Sequence, residues 1–552
     1  MRILLIIGFC VAAIFTLSCD QSKPLNPEPV KKADTIPAVT AIIADPSIAG
    51  NFSTQTQLTF DSSRLDSFLK KYPLFHPYSK DLKKFYSMRR YAYAWYDNKG
   101  LIEQTEDMYN RIVNIHDEGL PQKILYMEEF RTLMENAQAA VSESGSLDPE
   151  TELMISGEYF NYARNVWTGV PEEVSKKLEW FIPRKQLSYD VYLDSVIAAI
   201  QSGRTIDEPL HPQYNRLKEY LKLFRGFEKN GTWITIKGDR KKYVKGDSTE
   251  AIKEIRKKLL FSGDLANDNQ SAVFDDEMET AVKSFQYRFG LKQDGIIGPG
   301  MLKELSAPLE TRIRQIIVNM ERARWITNEP AADYLLVNIP QFKLSVFENN
   351  QLNWDCDVVV GKEVHKTVIF QGDLKYVVFS PYWNIPPGIL KNETLPAIKR
   401  DPNYLKRNNM EWNGGKVRQK PGPNNSLGLV KFLFPNSYNI YLHDTPSKPL
   451  FKEEKRAFSH GCIRVSEPRR LALYLLRNDS SWNEQKVDAA MKSGKEKYVT
   501  LKKTVPVSIV YFTAWVDEKG KLNFRDDVYK RDARLMESIF QKSNIAGNNI
   551  KK

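Results

Sequence analysis

The chain has 552 residues, 42% of them hydrophobic, an ordinary globular composition with enough apolar material for several cores. Its 80 Lys and Arg outweigh 68 Asp and Glu, giving a formal charge of +12 and a pI near 9.1. That excess suits solubility or attraction to a polyanion, but it is spread along the chain and no nucleic-acid motif accompanies it, so nucleic acid is excluded as the partner.

Residues Met1 to Ser18 read as a targeting segment. Arg2 supplies a positive start, and Ile3 to Leu17 are almost wholly apolar. The run is shorter than the ~20 residues that a membrane span needs. Thr16-Leu-Ser-Cys19 resembles a bacterial lipobox, in which the Cys becomes the lipidated first residue of the mature protein; Thr16 departs from the usual Leu. Residues 1–19 are therefore expected to be a lipoprotein-type signal with Cys19 lipidated. Plain cleavage or an uncleaved anchor is the alternative. Residues 20–52, rich in Pro, Ala, Thr, Ser and Lys without any period, read as a flexible linker.

Residues 53–242 are expected to form a helical scaffold. Phe85 to Trp95, Leu101 to Val113 and Leu153 to Val166 carry helix-type apolar spacing. Their aromatics fit a core better than a sugar-stacking surface. His76, His116 and His211 are scattered singly and read as surface or hydrogen-bonded histidines. Residues 243–306 form a compact unit. Gly246 to Glu250 opens a capped helix, Phe274-Asp-Asp starts a second, and Gly290 to Gly300 is a glycine loop leading to a third. The Gly-Asp start, the Ala-Val-Lys-x-Phe-Gln helix and the Gly-Leu-x-x-Asp-Gly-x-x-Gly loop resemble the peptidoglycan-binding domain 1 family, a three-helix module. Gly300-Met301 departs from the Thr and longer polar run of many members. The module either binds wall or serves as a spacer.

Residues 307–325 read as a connecting helix, with Ile313, Ile316, Ile317 and Met320 on one stripe. From 326 to 534 the pattern turns to strands. Asp333 to Pro340 and Gln341 to Phe347 read as consecutive strands, and Asn349-Asn350 as a hairpin turn. Cys356–Val360, Lys366–Phe370 and Tyr376–Phe379 continue it. Residues 387–427 interrupt it with a Lys-, Asn-, Gly- and Pro-rich insertion containing helical pieces such as Glu393 to Lys399. An insertion that long argues for a mobile cap over a site. His365 reads as a loop residue. Ser466 to Leu476 reads as a helix with Ser at its cap, Val505 to Trp515 as a final strand, and 535–552 as a tail.

The chemistry concentrates in two runs, Lys431 to Pro446 and Arg456 to Val465. Cys462 has two histidines close by, His460 two residues before it and His443 nineteen before it. A thiol becomes a nucleophile through a neighbouring base or a positive field. Asn439 to His443 alternates as a strand, so Tyr441 and His443 share one face. Cys462 and Arg464 share a face of a second strand. Gly461 permits a tight turn, so that its N–H and that of Cys462 can converge on a substrate oxygen. Asp444 faces away from His443 and makes no triad with it. His460-x-Cys462 lacks a third ligand at metal spacing, so no metal or other cofactor is implied. Four cysteines occur in all; Cys356 and Cys462 outside the leader could pair, but Cys462 in this setting is read as free and Cys356 as inert packing.

Ser459-His-Gly-Cys-Ile-Arg464 with His443 upstream resembles the L,D-transpeptidases of bacterial cell walls, whose catalytic domain is of the YkuD type. Asn319 to Trp325, Val337 to Pro340, Tyr382 to Pro387, Arg418 to Gly422, Lys431 to Asn436 and Tyr441 to Pro446 extend the likeness over roughly the last 240 residues, closest to the large periplasmic subgroup typified by YcbB. The resemblance implies a multidomain α+β chain with a helical scaffold, a three-helix wall-binding module and a mostly-β catalytic domain bearing a capping insertion. It implies Cys462 as nucleophile and His443 as base, its ring oriented by a backbone carbonyl. His460 would be structural, Arg464 would fix the Cys loop or a substrate carboxylate, and Tyr441 and Trp383 would line the cleft. The implied reaction joins peptidoglycan stems by 3→3 links in the periplasm, with release of a terminal D-alanine and inactivation by carbapenems. With water as acceptor the same Cys makes an L,D-carboxypeptidase, and with a protein amine a wall-anchoring ligase. A Cys endopeptidase and a non-catalytic wall-binding lipoprotein are the other readings.

Overall fold

The computed structural model describes residues 57–547 except 99, 122–123, 140–146, 185–186, 194, 196–208, 237 and 327–331. The expected signal, Cys19 and the linker lie outside the described residues. The chain is a multidomain α+β protein with a helical N-terminal half and a mostly-β C-terminal domain.

The helical half is built around Pro149–Ala163, a helix so enclosed that thirteen of its fifteen residues are buried. Asp148 caps it, accepting from the N–H groups of Glu150 and Thr151. Phe75, Leu82, Phe85, Tyr86 and Trp95 pack round it as core. The expected helix through Trp95 ends instead at Met88, because Arg90 and Tyr91 take left-handed φ of 54° and 61°, which no helix continues through. His211 caps the helix Pro212–Lys229 through Nδ1, and burial pulls its pKa down to about 4.

The module has its own core of Ile252, Ile255, Leu259, Val282, Phe285 and Ile297. Thr249 and Asp275 cap its first two helices, Glu250–Phe261 and Asp276–Arg288, and Pro299–Leu305 is the third. Gln286 accepts from the Gly295 N–H and donates to Asp294 and to the Ile296 carbonyl, so this motif residue pins the glycine loop. The module is fastened to the C-terminal domain. Arg288 donates to the Leu522 carbonyl, Arg525 donates to the carbonyls of Tyr287 and Arg288, and Phe289 packs on Phe524 at 5.4 Å.

Nine strands make the large sheet of the C-terminal domain: β1 (Tyr334–Asn338), β2 (Lys343–Glu348), β3 (Gln351–Gly361), β4 (Gln371–Phe379), β5 (Val430–Leu433), β6 (Leu442–His443), β7 (Ala457–Ser459), β8 (Ile463–Val465) and β9 (Lys497–Val510). The order is β7-β3-β8-β6-β5-β4-β9-β1-β2, and β2 also pairs with β3, so the order returns on itself. Asn349 and Asn350, at φ 51° and 61°, form the β2–β3 turn. Lys366 to Phe370 is loop rather than strand, and β9 stops at Val510. The helix after β8 runs Pro468–Leu476 with Glu467, not Ser466, at its cap and proline at its first position.

Two further elements differ from the sequence reading. The insertion is partly β: its Lys416–Gln419 and Met410–Asn413 form a three-stranded sheet with Trp383–Asn384 just before it, and the Gly414-Gly415 tip is too polar and short to show alternation. The expected tail is a helix, Asp532–Gly547, with Leu535 and Ile539 buried. One continuous core joins the helical half to the nine-stranded sheet, carried across by Leu309–Arg324 through Ile316, Ile317 and Met320 and by Trp325 just beyond it.

Candidate active site

Strands β6 and β8 run parallel, with Leu442 opposite Ile463 and His443 opposite Arg464. The Ile463 N–H donates to the Tyr441 carbonyl at 3.1 Å. Leu442, Ile463 and Val465 point into the core and are fully buried. Alternation then puts Tyr441, His443, Cys462 and Arg464 together on the other face. The Tyr441 and His443 rings lie 5.7 Å apart.

The Cys loop is built from its own backbone and three braces. Ser459 Oγ donates to the Cys462 carbonyl at 2.6 Å and accepts from the Gly461 N–H at 3.1 Å. Gly461 sits at φ +113°, where a side chain is strained. Thr367 Oγ1 donates to the Gly461 carbonyl and accepts from the Gly361 N–H. Tyr529 donates to the Gly361 carbonyl at 2.6 Å and accepts from the Thr367 N–H. A Cβ on Gly361 would stand 2.1 Å from the His365 carbonyl oxygen, so only glycine fits there. Since Ser459 takes the Gly461 N–H, the expected oxyanion pair reduces to the Cys462 N–H.

His443 is buried at the centre. Its Nδ1 bonds the Asp444 carbonyl oxygen, which leaves Nε2 as the lone-pair nitrogen. Asp444 itself turns away, accepting from the Leu429 and Thr445 N–H groups and from Lys448. Burial, with Arg464 and Lys431 on the flanking strands, pulls the His443 pKa down to about 3; the Asp444 carbonyl opposes this. The imidazole is therefore neutral at ordinary pH and able to accept a proton. Burial also raises the Cys462 thiol, against the Tyr441 N–H and hydroxyl and the Arg464 charge, which favour the thiolate. The thiol is half-buried and faces the Asn439 carbonyl at 3.6 Å, so its proton is not yet on the path to His443. Cys356 is buried and free, and burial pushes its thiol up to about 12.

His460 points outward, to Glu393 of the insertion at 3.0 Å, and its ring lies 4.9 Å from that of His365. His365 thus belongs to the surroundings of the Cys loop, which its distance in sequence hid. The base of the insertion is fixed by Asn425, which donates to the carbonyls of Pro381, Gln419 and Lys420. Trp383 lies in the insertion sheet opposite Gln419, half-buried. The side chains of Glu393 and His460 are 56% and 35% exposed, so their pair is worth less than about 1 kcal/mol. Replacing Glu393 with Gln should raise KM by no more than about fivefold with kcat near wild type, as steady-state kinetics would show. A large fall in kcat would mean that Glu393 acts on the reaction itself. Among the described residues no group of three or more His, Cys, Asp or Glu is placed to hold a metal ion.

A neutral imidazole, a thiol and a backbone N–H thus lie together on one sheet face, the kinds of group that nucleophilic thiol chemistry uses. Residues 332–488 match the model of the L,D-transpeptidase catalytic domain, 80–221 that of the Scaffold domain, and 248–305 that of a "Putative peptidoglycan binding domain". The chain therefore carries a YkuD-type L,D-transpeptidase catalytic domain with a scaffold domain and a peptidoglycan-binding module. A "Putative L,D-transpeptidase" of Haemophilus influenzae is 32% identical over 248 residues, 41% of this chain and 50% of the relative. The match spans only half the length of that relative. An L,D-transpeptidase structure from Stackebrandtia nassauensis shares 15% identity over 50% of this chain and 96% of its own, with a TM-score of 0.23. L,D-transpeptidase 1 of Mycobacterium tuberculosis shares 17% over 32% and 61%, with a TM-score of 0.16.

Proposed function

We propose that the chain is a cell-wall L,D-transpeptidase that forms 3→3 cross-links through a thioester on Cys462. The observation that supports this most is the register of β6 against β8, which sets His443 and Cys462 on one face with the imidazole neutral. In this scheme the thiol rotates away from the Asn439 carbonyl and gives its proton to His443 Nε2. The sulfur attacks the carbonyl of the third residue of a tetrapeptide stem. The Cys462 N–H stabilises the developing oxyanion, and His443 returns the proton to the departing D-alanine amine. A neighbouring stem amine then takes the acyl group. Arg464, charged and beside the thiol, suits a carboxylate of the donor stem.

Peptidoglycan is the proposed partner of the module, and the periplasm the proposed location. Lipidation at Cys19 would tether the chain to a membrane. No helix of the described residues is long and apolar enough to cross one. Carbapenems, whose strained amide offers the thiol an acyl group, are the proposed inhibitors.

The test is mass spectrometry of the purified protein with disaccharide-tetrapeptides, beside Cys462→Ala. The expected product is a 3→3 dimer, absent with the variant. Tripeptide alone would make the enzyme an L,D-carboxypeptidase. Absence of any product, and of a carbapenem adduct on Cys462, would overturn the catalytic reading.

A further inference from the structure

Lys431 heads one of the sequence blocks that carry the family likeness, and its charge helps to keep the His443 imidazole neutral, yet acylation of Cys462 gives it no contact with substrate. Its position in the sheet is specific. Lys431 pairs with His443 on one side and with Val378 on the other. His443 pairs with Arg464, and Val378 with Tyr498. Directly paired residues on neighbouring strands present their side chains to the same face. Arg464, His443, Lys431, Val378 and Tyr498 therefore form one row across it. Lys431 Nζ lies 5.8 Å from the centre of the Tyr498 ring, in keeping with that row. Arg464 marks the end beside Cys462, and Tyr498, 57% exposed, marks the open end.

The ammonium itself is poorly provided for. Lys431 is 8% exposed, and its nearest carboxylate is Glu496 at 3.8 Å, beyond hydrogen-bond length. The same Glu496 oxygen already accepts from the Tyr382 N–H at 2.9 Å. Among the described residues Lys431 makes no side-chain hydrogen bond. A cation largely withdrawn from water, with its anion beyond hydrogen-bond length, gains from a ligand carboxylate that can bond it directly.

We propose that Lys431 reads the carboxylate beside the attacking amine of the acceptor stem, and so favours cross-linking over hydrolysis. This rests on the transpeptidase reading. The acyl group sits on Cys462, with Arg464 on that side of the imidazole. The attacking amine must reach the thioester carbon and still give its proton to His443, so it enters from the other side, where Lys431 stands. In an amino-acid amine the carboxylate is on the carbon that bears the nitrogen, within reach of a neighbouring ammonium. The N–C bond forms, the C–S bond breaks, and the amine proton passes to His443 Nε2 and from there to the Cys462 thiolate. Water carries no carboxylate and gains nothing from Lys431.

The experiment uses the whole chain with a disaccharide-tetrapeptide donor. Acceptor stems carry either a free carboxylate or a carboxamide beside the amine, and acyl-enzyme, dimer and tripeptide are followed by mass. The wild type should prefer the carboxylate acceptor by about tenfold or more. Lys431→Met should lose that preference and divert acyl-enzyme to tripeptide, and Lys431→Arg should keep it. A wild type indifferent to the carboxamide would overturn the proposal, and this comparison needs no variant to fold. So would a Lys431→Met enzyme with the preference intact, or one in which acylation and transfer fall by the same factor. Absence of acyl-enzyme on wild-type Cys462 is a different failure and sinks the transpeptidase reading itself.

Discussion

Replacing His443 with glutamine should slow acylation of Cys462 by about a thousandfold, the scale set by loss of a positioned general base. The amide can still donate to the Asp444 carbonyl oxygen, so the variant should fold. Burst-phase acylation by a carbapenem, followed by intact mass, measures the rate. A fall of less than about tenfold would remove His443 from the proton path. The same variant should gain acid tolerance. His443 has a folded pKa near 3, below the ~6.5 of an unfolded histidine, so the folded protein binds fewer protons between those values. Its contribution to stability is whole above pH 6.5 and is lost as pH falls toward 3. At pH 4 the loss is about 3 kcal/mol, and glutamine abolishes it. Melting of both proteins at pH 7 and pH 4 should show the wild type losing more on acidification. Equal losses would mean that His443 is not held neutral by its surroundings.

The residues of the site were legible where chemistry and alternation coincide. His443, Tyr441, Cys462 and Arg464 fall on one face because short strands must alternate, and that much is written in Asn439 to His443 and Cys462 to Val465. What holds them was not legible. Thr367 and Tyr529 reach the Cys loop from ninety-odd residues before and nearly seventy after it, by single hydrogen bonds that leave no periodic trace. Ser459 was visible in its motif, but its hydroxyl takes the Gly461 N–H that an oxyanion hole seemed to need. The helical half was legible as a class of structure, though Arg90 and Tyr91 interrupt one helix without any Gly or Pro to announce it. Domain separation was the least legible feature. Sequence pattern divides scaffold from catalytic domain, whereas burial runs through both as one core. Leu309 to Arg324 shows why: its apolar stripe looked like one face of an ordinary helix, but Asn319, Glu321, Arg322 and Arg324 are buried as well.

Glu321 in that helix should carry the largest stability effect outside the active site. It is fully buried and accepts from the Val170 N–H at 2.6 Å, from Trp325 Nε1 at 2.9 Å and from Arg324 at 2.8 Å. Its carboxylate occupies the space that Gly169, at φ +71°, leaves free; a Cβ there would stand 2.0 Å from Oε1. Arg324 in turn donates to the carbonyls of Val166 and Glu118 and to Tyr214, all in the helical half. The Glu321–Arg324 pair is thus a buried polar joint between scaffold and catalytic domain, set inside the shared apolar core. Removing one partner of such a buried pair strands the other, at a cost of about 3–5 kcal/mol. Glu321→Ala should therefore lower the unfolding free energy by that amount, measured by urea titration with the thermal midpoint as a second reading. Glu321→Gln keeps an acceptor for Val170 and Trp325 and should cost less. A Glu321→Ala protein within about 0.5 kcal/mol of wild type would mean that this pair adds nothing to the joint. A substantial loss with Glu321→Gln as well would show that the joint needs its charge, since the surrounding side chains offer Arg324 no other carboxylate closer than Glu118, whose own oxygens are already taken by Tyr162, Tyr214 and Lys218.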